Sequence, residues 1–221
     1  MKVTTTNKTV THVKALVYGR AGVGKTTLCA TAPRPIILNV EGGLLSVRNL
    51  NLPVLEIQGI KDVYRALDYL DRKKSRKKYQ TVCLDSISDI AETLLSQLKR
   101  EMKDKRGAYG DMADDMMVLI RAFRDLKGYH VVMTAKAKLN EETDMTIPMM
   151  PGKQLTTNLP YLFDEVLALR IHSDTGEDDS YRYLQTEISE YWDAKDRSGK
   201  LRPMDKPDLK YIFKKILGGK K

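Results

Sequence analysis

The chain has no long apolar run: its longest stretches reach only about five residues, against the ~20 that a membrane helix needs. No helical membrane span is expected in these 221 residues. Residues 1–11 are polar and threonine-rich and lack the apolar centre of a secretory signal, so the cytoplasm is the expected compartment. Cysteine is scarce. Cys29 and Cys83 fall in a predicted helix and a predicted buried strand, where a small thiol packs as an apolar group, and neither disulfide nor metal chemistry is expected of them. Internal repeats are absent, and only residues 72–78, basic except for Ser75, approach low complexity.

What is there fits one globular domain. Hydrophobic residues at 42% and charged residues at 30% are enough for a well-buried core. The expected division is a tail or edge strand over 1–12, a core over 13–171, and a C-terminal region over 172–221. Lys and Arg exceed Asp and Glu to give a net charge of +9, which favours polyanionic partners, nucleic acid first. A merely soluble basic surface is the alternative.

Strand signals at 13–18, 36–40, 54–57, 81–84 and 129–134 alternate with helical spacing at 26–32, 62–70, 87–100 and 112–126. That alternation predicts an α/β fold, a mostly parallel sheet with helices on both faces. Residues 72–78 read as a solvated loop, because nothing nearby could neutralise them, and a break is expected at 107–110. Turn signals at Pro148, Pro151-Gly152 and Thr175-Gly176 mark a change of character. Runs at 165–171 and 181–186 predict an antiparallel hairpin, and a helix at 209–217 precedes a basic tail.

The strongest chemical signal is Gly19-Arg20-Ala21-Gly22-Val23-Gly24-Lys25-Thr26, a G-x-x-x-x-G-K-[ST] loop between a predicted strand and a predicted helix. Glycines let the backbone form a nest of N–H groups, Lys25 reaches the β- and γ-phosphates of ATP, and Thr26 ligates magnesium; Thr27 completes the phosphate site. Asp85 ends the strand at 81–84, where a second magnesium carboxylate belongs; the other use of such a residue is a helix N-cap. Ser86 caps that helix on either reading. Glu41 closes the second strand before Gly42 and Gly43, at the same sheet edge as the loop. It reads equally as a base for attacking water and as a surface residue in a tight turn.

A P-loop, then a strand ending in Glu-Gly-Gly, then a strand ending in Asp-Ser resembles the RecA-like ATPases. More closely, segments 19–31, 36–46, 82–90, Pro151-Gly152-Lys153 and 194–199 resemble phage nucleotide-binding proteins of the minimal RecA-core group, which includes the Sak-four single-strand annealing proteins. The resemblance runs from about residue 13 to 217. It implies an ATPase core that self-associates as a ring or filament and anneals single-stranded DNA in phage recombination, in the host cytoplasm. A single-strand DNA-binding protein is an implied partner. It makes Glu41 the water-activating residue. It also makes Lys195 and Arg197 a Lys-x-Arg element reaching a neighbouring subunit's γ-phosphate; without it they read as an exposed charged turn. Lys136 stands where RecA-like proteins usually carry a polar sensor, and a lysine there could still contact the γ-phosphate.

Candidate DNA contacts are Lys138 and Lys153 in the stretch resembling the mobile DNA loop of RecA, together with Arg72, Lys73 and Lys74 and the basic run 99–106. Tyr79 and Tyr109, beside basic runs, could stack on bases, although lone tyrosines usually pack. Two rival readings are a small-molecule kinase with a lid hinged at 107–110 and a nucleotide-switched adaptor or loader.

Overall fold

The computed structural model describes residues 3–173 and 180–218. It opens with a single helical turn, α1 (Thr6–Thr9), and not an edge strand. There follow β1 (Lys14–Gly19), α2 (Lys25–Ala30), β2 (Pro35–Asn39), β3 (Val54–Glu56), α3 (Ile60–Asp71), α4 (Lys73–Lys78), β4 (Thr81–Asp85), α5 (Ile87–Glu101) and α6 (Gly107–Arg124). The rest is β5 (His130–Asn140), β6 (Met145–Met149), α7 (Lys153–Asn158), β7 (Glu165–His172), β8 (Tyr181–Gln185), β9 (Lys195–Asp196), β10 (Met204–Asp205) and α8 (Leu209–Leu217).

The described strands form one sheet in the order β10-β8-β7-β1-β5-β4-β2-β3, with β6 beside β5 and β9 beside β7. β1 lies between β7 and β5 and is parallel to both. The parallel pairing continues through β4, β2 and β3, whereas β6, β8, β9 and β10 join antiparallel. This is the predicted class, a mostly parallel sheet flanked by helices, with an antiparallel extension toward the C-terminus.

Neighbouring residues in a strand face opposite sides, and both sides of β1 are covered. Leu16 and Tyr18 pack with residues of α3, α5 and α6, while Ala15 and Val17 pack with residues of α2 and α8. Burial on both faces is why the central strands read as unbroken apolar runs. Parallel pairing also lines up strand ends: Gly19 sits level with Lys136, and Asn39 with Asp85.

Some expectations are corrected. Residues 72–78 are not a loop, because Lys73–Lys78 is helix α4. Long unbranched basic side chains are good helix formers. Ser75 is buried and donates from Oγ to the Tyr69 carbonyl at 2.6 Å, and Arg76 finds Asp71 at 3.5 Å, a neutralising partner that the charge count overlooked. The break expected at 107–110 falls at 102–106, and Gly107 and Gly110 belong to α6. Ala108, Met112, Ala113 and Met116 form a buried stripe that outweighs the roughly 1 kcal/mol helix penalty of each glycine. No lid hinge stands there.

The fifth strand runs on to Asn140 because residues 136–140 pair with β6. Pro148, read as a turn, lies within β6, whose other side carries one bridge, from Thr146 to Trp192. Such a margin is where a sheet tolerates proline. Tyr79 is buried with its hydroxyl 3.4 Å from that of Tyr69, which removes it as a base-stacking group. The turn at Thr175-Gly176 and the lysines at 220–221 lie outside the described residues.

Candidate functional site

The glycine loop leaves the carboxyl end of β1. A side chain at Gly19 has no room: its Cβ would lie 2.7 Å from the Leu169 carbonyl oxygen and 2.9 Å from Val23 Cγ1. Gly22 and Gly24 hold φ of 74° and 101°, in the region that favours glycine. Backbones of this kind turn successive N–H groups toward one concavity, the geometry that cradles phosphate. Lys25 is buried, and its ammonium curls back to the carbonyls of Gly19 and Arg20, each at 3.2 Å.

Three hydroxyl and carboxyl side chains meet next to it. Thr26 Oγ1 donates to Asp85 Oδ2 at 2.6 Å, and Thr134 Oγ1 donates to Asp85 Oδ1. Asp85 is buried, with both oxygens engaged by threonines from different elements. It is not the N-cap of α5; Ser86 is, its Oγ accepting from the Asp89 amide at 3.3 Å. The pair Thr26 and Asp85 fits magnesium, a hard cation that takes oxygen ligands and is usually shared with substrate phosphates. Thr134 orients the carboxylate from behind.

Glu41 follows β2 on a turn held by Asn39. The Asn39 side chain accepts from the Gly42 amide at 3.1 Å and donates to Glu56 Oε2 at 2.8 Å. Gly42, at φ 79°, permits the turn. Partial burial, with Asp89 and Asp85 nearby, pushes the Glu41 carboxyl above its ordinary range, while Lys25 and Lys136 pull the other way. These four neighbours place Glu41 in the same electrostatic environment as Lys25 of the P-loop and Asp85. Lys136 is held by Asp89 and Glu92, each at 2.8 Å, and its amide donates to the Ser88 hydroxyl oxygen at 3.0 Å.

The sequence-predicted Lys195 and Arg197 are not brought to this edge. Lys195 pairs with Val166 and Asp196 with Glu165, at the start of β7. Glu165 is level with Ala15, about 13 Å of strand away from Gly19. Lys195 Nζ donates to the carbonyls of Pro160 and Phe163 at 2.6 and 2.7 Å, and Arg197 pairs with Asp164 at 2.8 Å. The DNA candidates are divided. Lys138 and Lys153 are exposed near the carboxyl edge, Lys153 paired with Glu142 at 2.8 Å, whereas Arg72, Lys73 and Lys74 are exposed before β4, at the amino edge. Tyr109 is partly exposed and lies under the Lys99 ammonium, 4.3 Å from its ring centroid.

Sequence reasoning missed two residues. Thr134 carried a usable signal, a polar residue at the end of an apolar strand. Arg182 carried none: it is the second residue of β8, far along the chain, yet its Nε donates to the Val23 carbonyl of the P-loop at 2.8 Å.

A family model described as an AAA domain matches residues 11–198. Among solved structures, a KaiC-like protein from the hyperthermophilic archaeon Pyrococcus horikoshii OT3 is 15% identical, with 78% of this chain and 76% of that chain covered and a TM-score of 0.44. No curated protein matches. The family match takes in the P-loop, Glu41, Asp85 and Arg197: the chain belongs to the AAA domain family and is a P-loop NTPase.

Proposed function

We propose that this protein binds and slowly hydrolyses ATP with magnesium, and that, assembled as a ring or filament, it binds single-stranded DNA and promotes strand annealing in phage recombination. The convergence of Thr26, Asp85 and Glu41 beside Lys25 carries the nucleotide half of this reading. Loop amides from Gly19 to Thr27 wrap the phosphates and Lys25 neutralises the β- and γ-oxygens. Thr26 and Asp85 would hold the metal, which would supply positive charge against that developing on the transferred phosphoryl group. Glu41 orients the attacking water and accepts its proton, a task that its raised proton affinity suits. Lys136, aimed by Asp89 and Glu92, adds positive charge on the γ-phosphate side.

Lys195 and Arg197 stand at the opposite edge from their own P-loop, and to serve a nucleotide held by a neighbouring copy they would exchange their present partners, the Pro160 and Phe163 carbonyls and Asp164, for its γ-phosphate. The DNA half rests on the net charge of +9 and on the resemblance to single-strand annealing proteins. We assign strand contact to Lys138 and Lys153, near the nucleotide edge, and electrostatic steering to Arg72, Lys73 and Lys74. A single-strand DNA-binding protein would act with it in the host cytoplasm.

The test mixes complementary single strands with purified protein, with and without ATP, and follows duplex formation and ATP turnover together. Pairing faster than the spontaneous rate, turnover stimulated by single strands, and DNA affinity that falls steeply with salt are expected. Glu41→Gln lowers turnover about 10²-fold or more while ATP and DNA binding persist. Salt-insensitive DNA association, or duplex formation no faster than in buffer, sinks the annealing reading.

A further inference from the structure

Arg182 is the residue whose placement nothing above employs. Its position is fixed by the β7–β8 ladder: Arg182 stands opposite Ile171, and two rungs on the buried Leu184 stands opposite the buried Leu169. Leu169 is also the residue against whose carbonyl Gly19 packs, so hairpin and P-loop are locked together at that point. From this fixed base the Arg182 side chain crosses onto the loop. Besides its 2.8 Å bond to the Val23 carbonyl, it lies over Gly24, where an added Cβ would come within 3.3 Å of Nε and 3.6 Å of Cδ. Thr27 Cβ lies 3.9 Å from the same point.

The electrostatics are unusual for an arginine so placed. No carboxylate among the described residues pairs with Arg182, although the residue is exposed. Arg170, on the neighbouring strand, is by contrast closed on Gln185 Oε1 at 2.6 Å and stacked over Trp192 and Tyr183. Guanidinium presents several N–H donors in a rigid fork, and with Nε spent on Val23 the terminal nitrogens keep theirs. A delocalised cation with donors to spare, held against a phosphate loop, matches an anionic oxygen geometrically.

We propose that Arg182 is a second cation of the nucleotide site, acting in cis on the α-phosphate end of the bound nucleotide. Its neighbours are Val23 and Gly24, with Thr27 on the far side of Gly24, whereas Lys25, Thr26, Asp85 and Glu41 make up the metal and γ-phosphate side. The inference rests on the nucleotide reading and deepens it. The hairpin after β7 becomes part of the binding site.

Affinities for ATP and for ADP, measured by titration calorimetry at low and at high salt, test it with wild type, Arg182→Ala and Arg182→Lys. The alanine variant is expected to lose about tenfold in affinity for both nucleotides at low salt, the scale of one hydrogen bond between charged groups. The loss shrinks at high salt, and lysine restores part of it. The melting temperature without nucleotide stays put, because the side chain is exposed. A loss confined to ATP would put Arg182 on the γ side and overturn the assignment. An equal loss at every salt concentration, unrelieved by lysine, would reduce Arg182 to a prop for the Val23 carbonyl. Wild-type binding with an indifferent alanine variant sinks this inference alone, whereas wild-type protein that binds neither nucleotide sinks the nucleotide reading with it.

Discussion

At the carboxyl edge of the sheet, Lys25, Thr26, Asp85, Thr134, Glu41 and Lys136 crowd around the P-loop, whereas at the amino edge Lys14, Lys195 and Arg197 are each closed on neighbouring loops. Lys14 donates to the Tyr129 carbonyl at 2.8 Å, Lys195 to two carbonyls, and Arg197 to a carboxylate. Cations at both edges have partners, Lys25 the Gly19 and Arg20 carbonyls and Lys136 two carboxylates; what differs is that those of the carboxyl edge stand beside the glycine loop and Asp85. The amino edge uses its cations as fasteners, and burial accordingly lowers the Lys14 pKa to about 8. At the carboxyl edge the side chains orient one another, Thr26 and Thr134 on Asp85 and Asn39 on the Glu41 turn, while Arg20, Ala21 and Gly22 of the glycine loop are exposed.

Three substitutions would break that contrast if it is wrong. The largest effect is expected of Lys25→Ala, which should abolish ATP binding, by more than about 100-fold in calorimetric affinity, with the fold intact by circular dichroism. A fold lost with the lysine would make it a fastener like those opposite. Next comes Thr134→Val, which removes one of the hydroxyls steering Asp85; turnover should fall about tenfold, rescued in part by raised magnesium. Unchanged magnesium dependence would mean that Thr134 serves packing only.

The smallest effect belongs to the amino edge. Glu165 is buried, and burial together with its hydrogen bond to Asp196 raises its pKa to about 8. It therefore binds its proton more tightly folded than unfolded, so its contribution to stability is complete below the ordinary Glu range and is lost as pH rises through about 8. Wild-type melting temperature should decline between about pH 5 and 8 more steeply than that of Glu165→Gln, with nucleotide affinity equal in both. A shift in nucleotide affinity would join the two edges functionally.

Part of the carboxyl edge was legible because apolar runs stop there at a glycine or an acid, as at Gly19 and Asp85, whereas spacing alone left Glu41 open between a base and a surface residue. The alternation of runs likewise predicted the parallel sheet. Residues 72–78 were misread because charge was counted without the backbone preference of Lys and Arg or the one buried serine, Ser75. The α6 start was misread because two glycines masked a stripe of core residues. Arg182 was invisible for a topological reason, since the hairpin returns beside the P-loop only through the β1–β7 pairing.

The turn that carries Glu41 is tied through Asn39 to Glu56 on β3, the outermost strand on that side of the sheet. Rim and Glu41 turn are thus linked by a pair of hydrogen bonds through one amide side chain. A change at Glu56 would therefore reach the turn that carries Glu41 without touching the phosphate cradle.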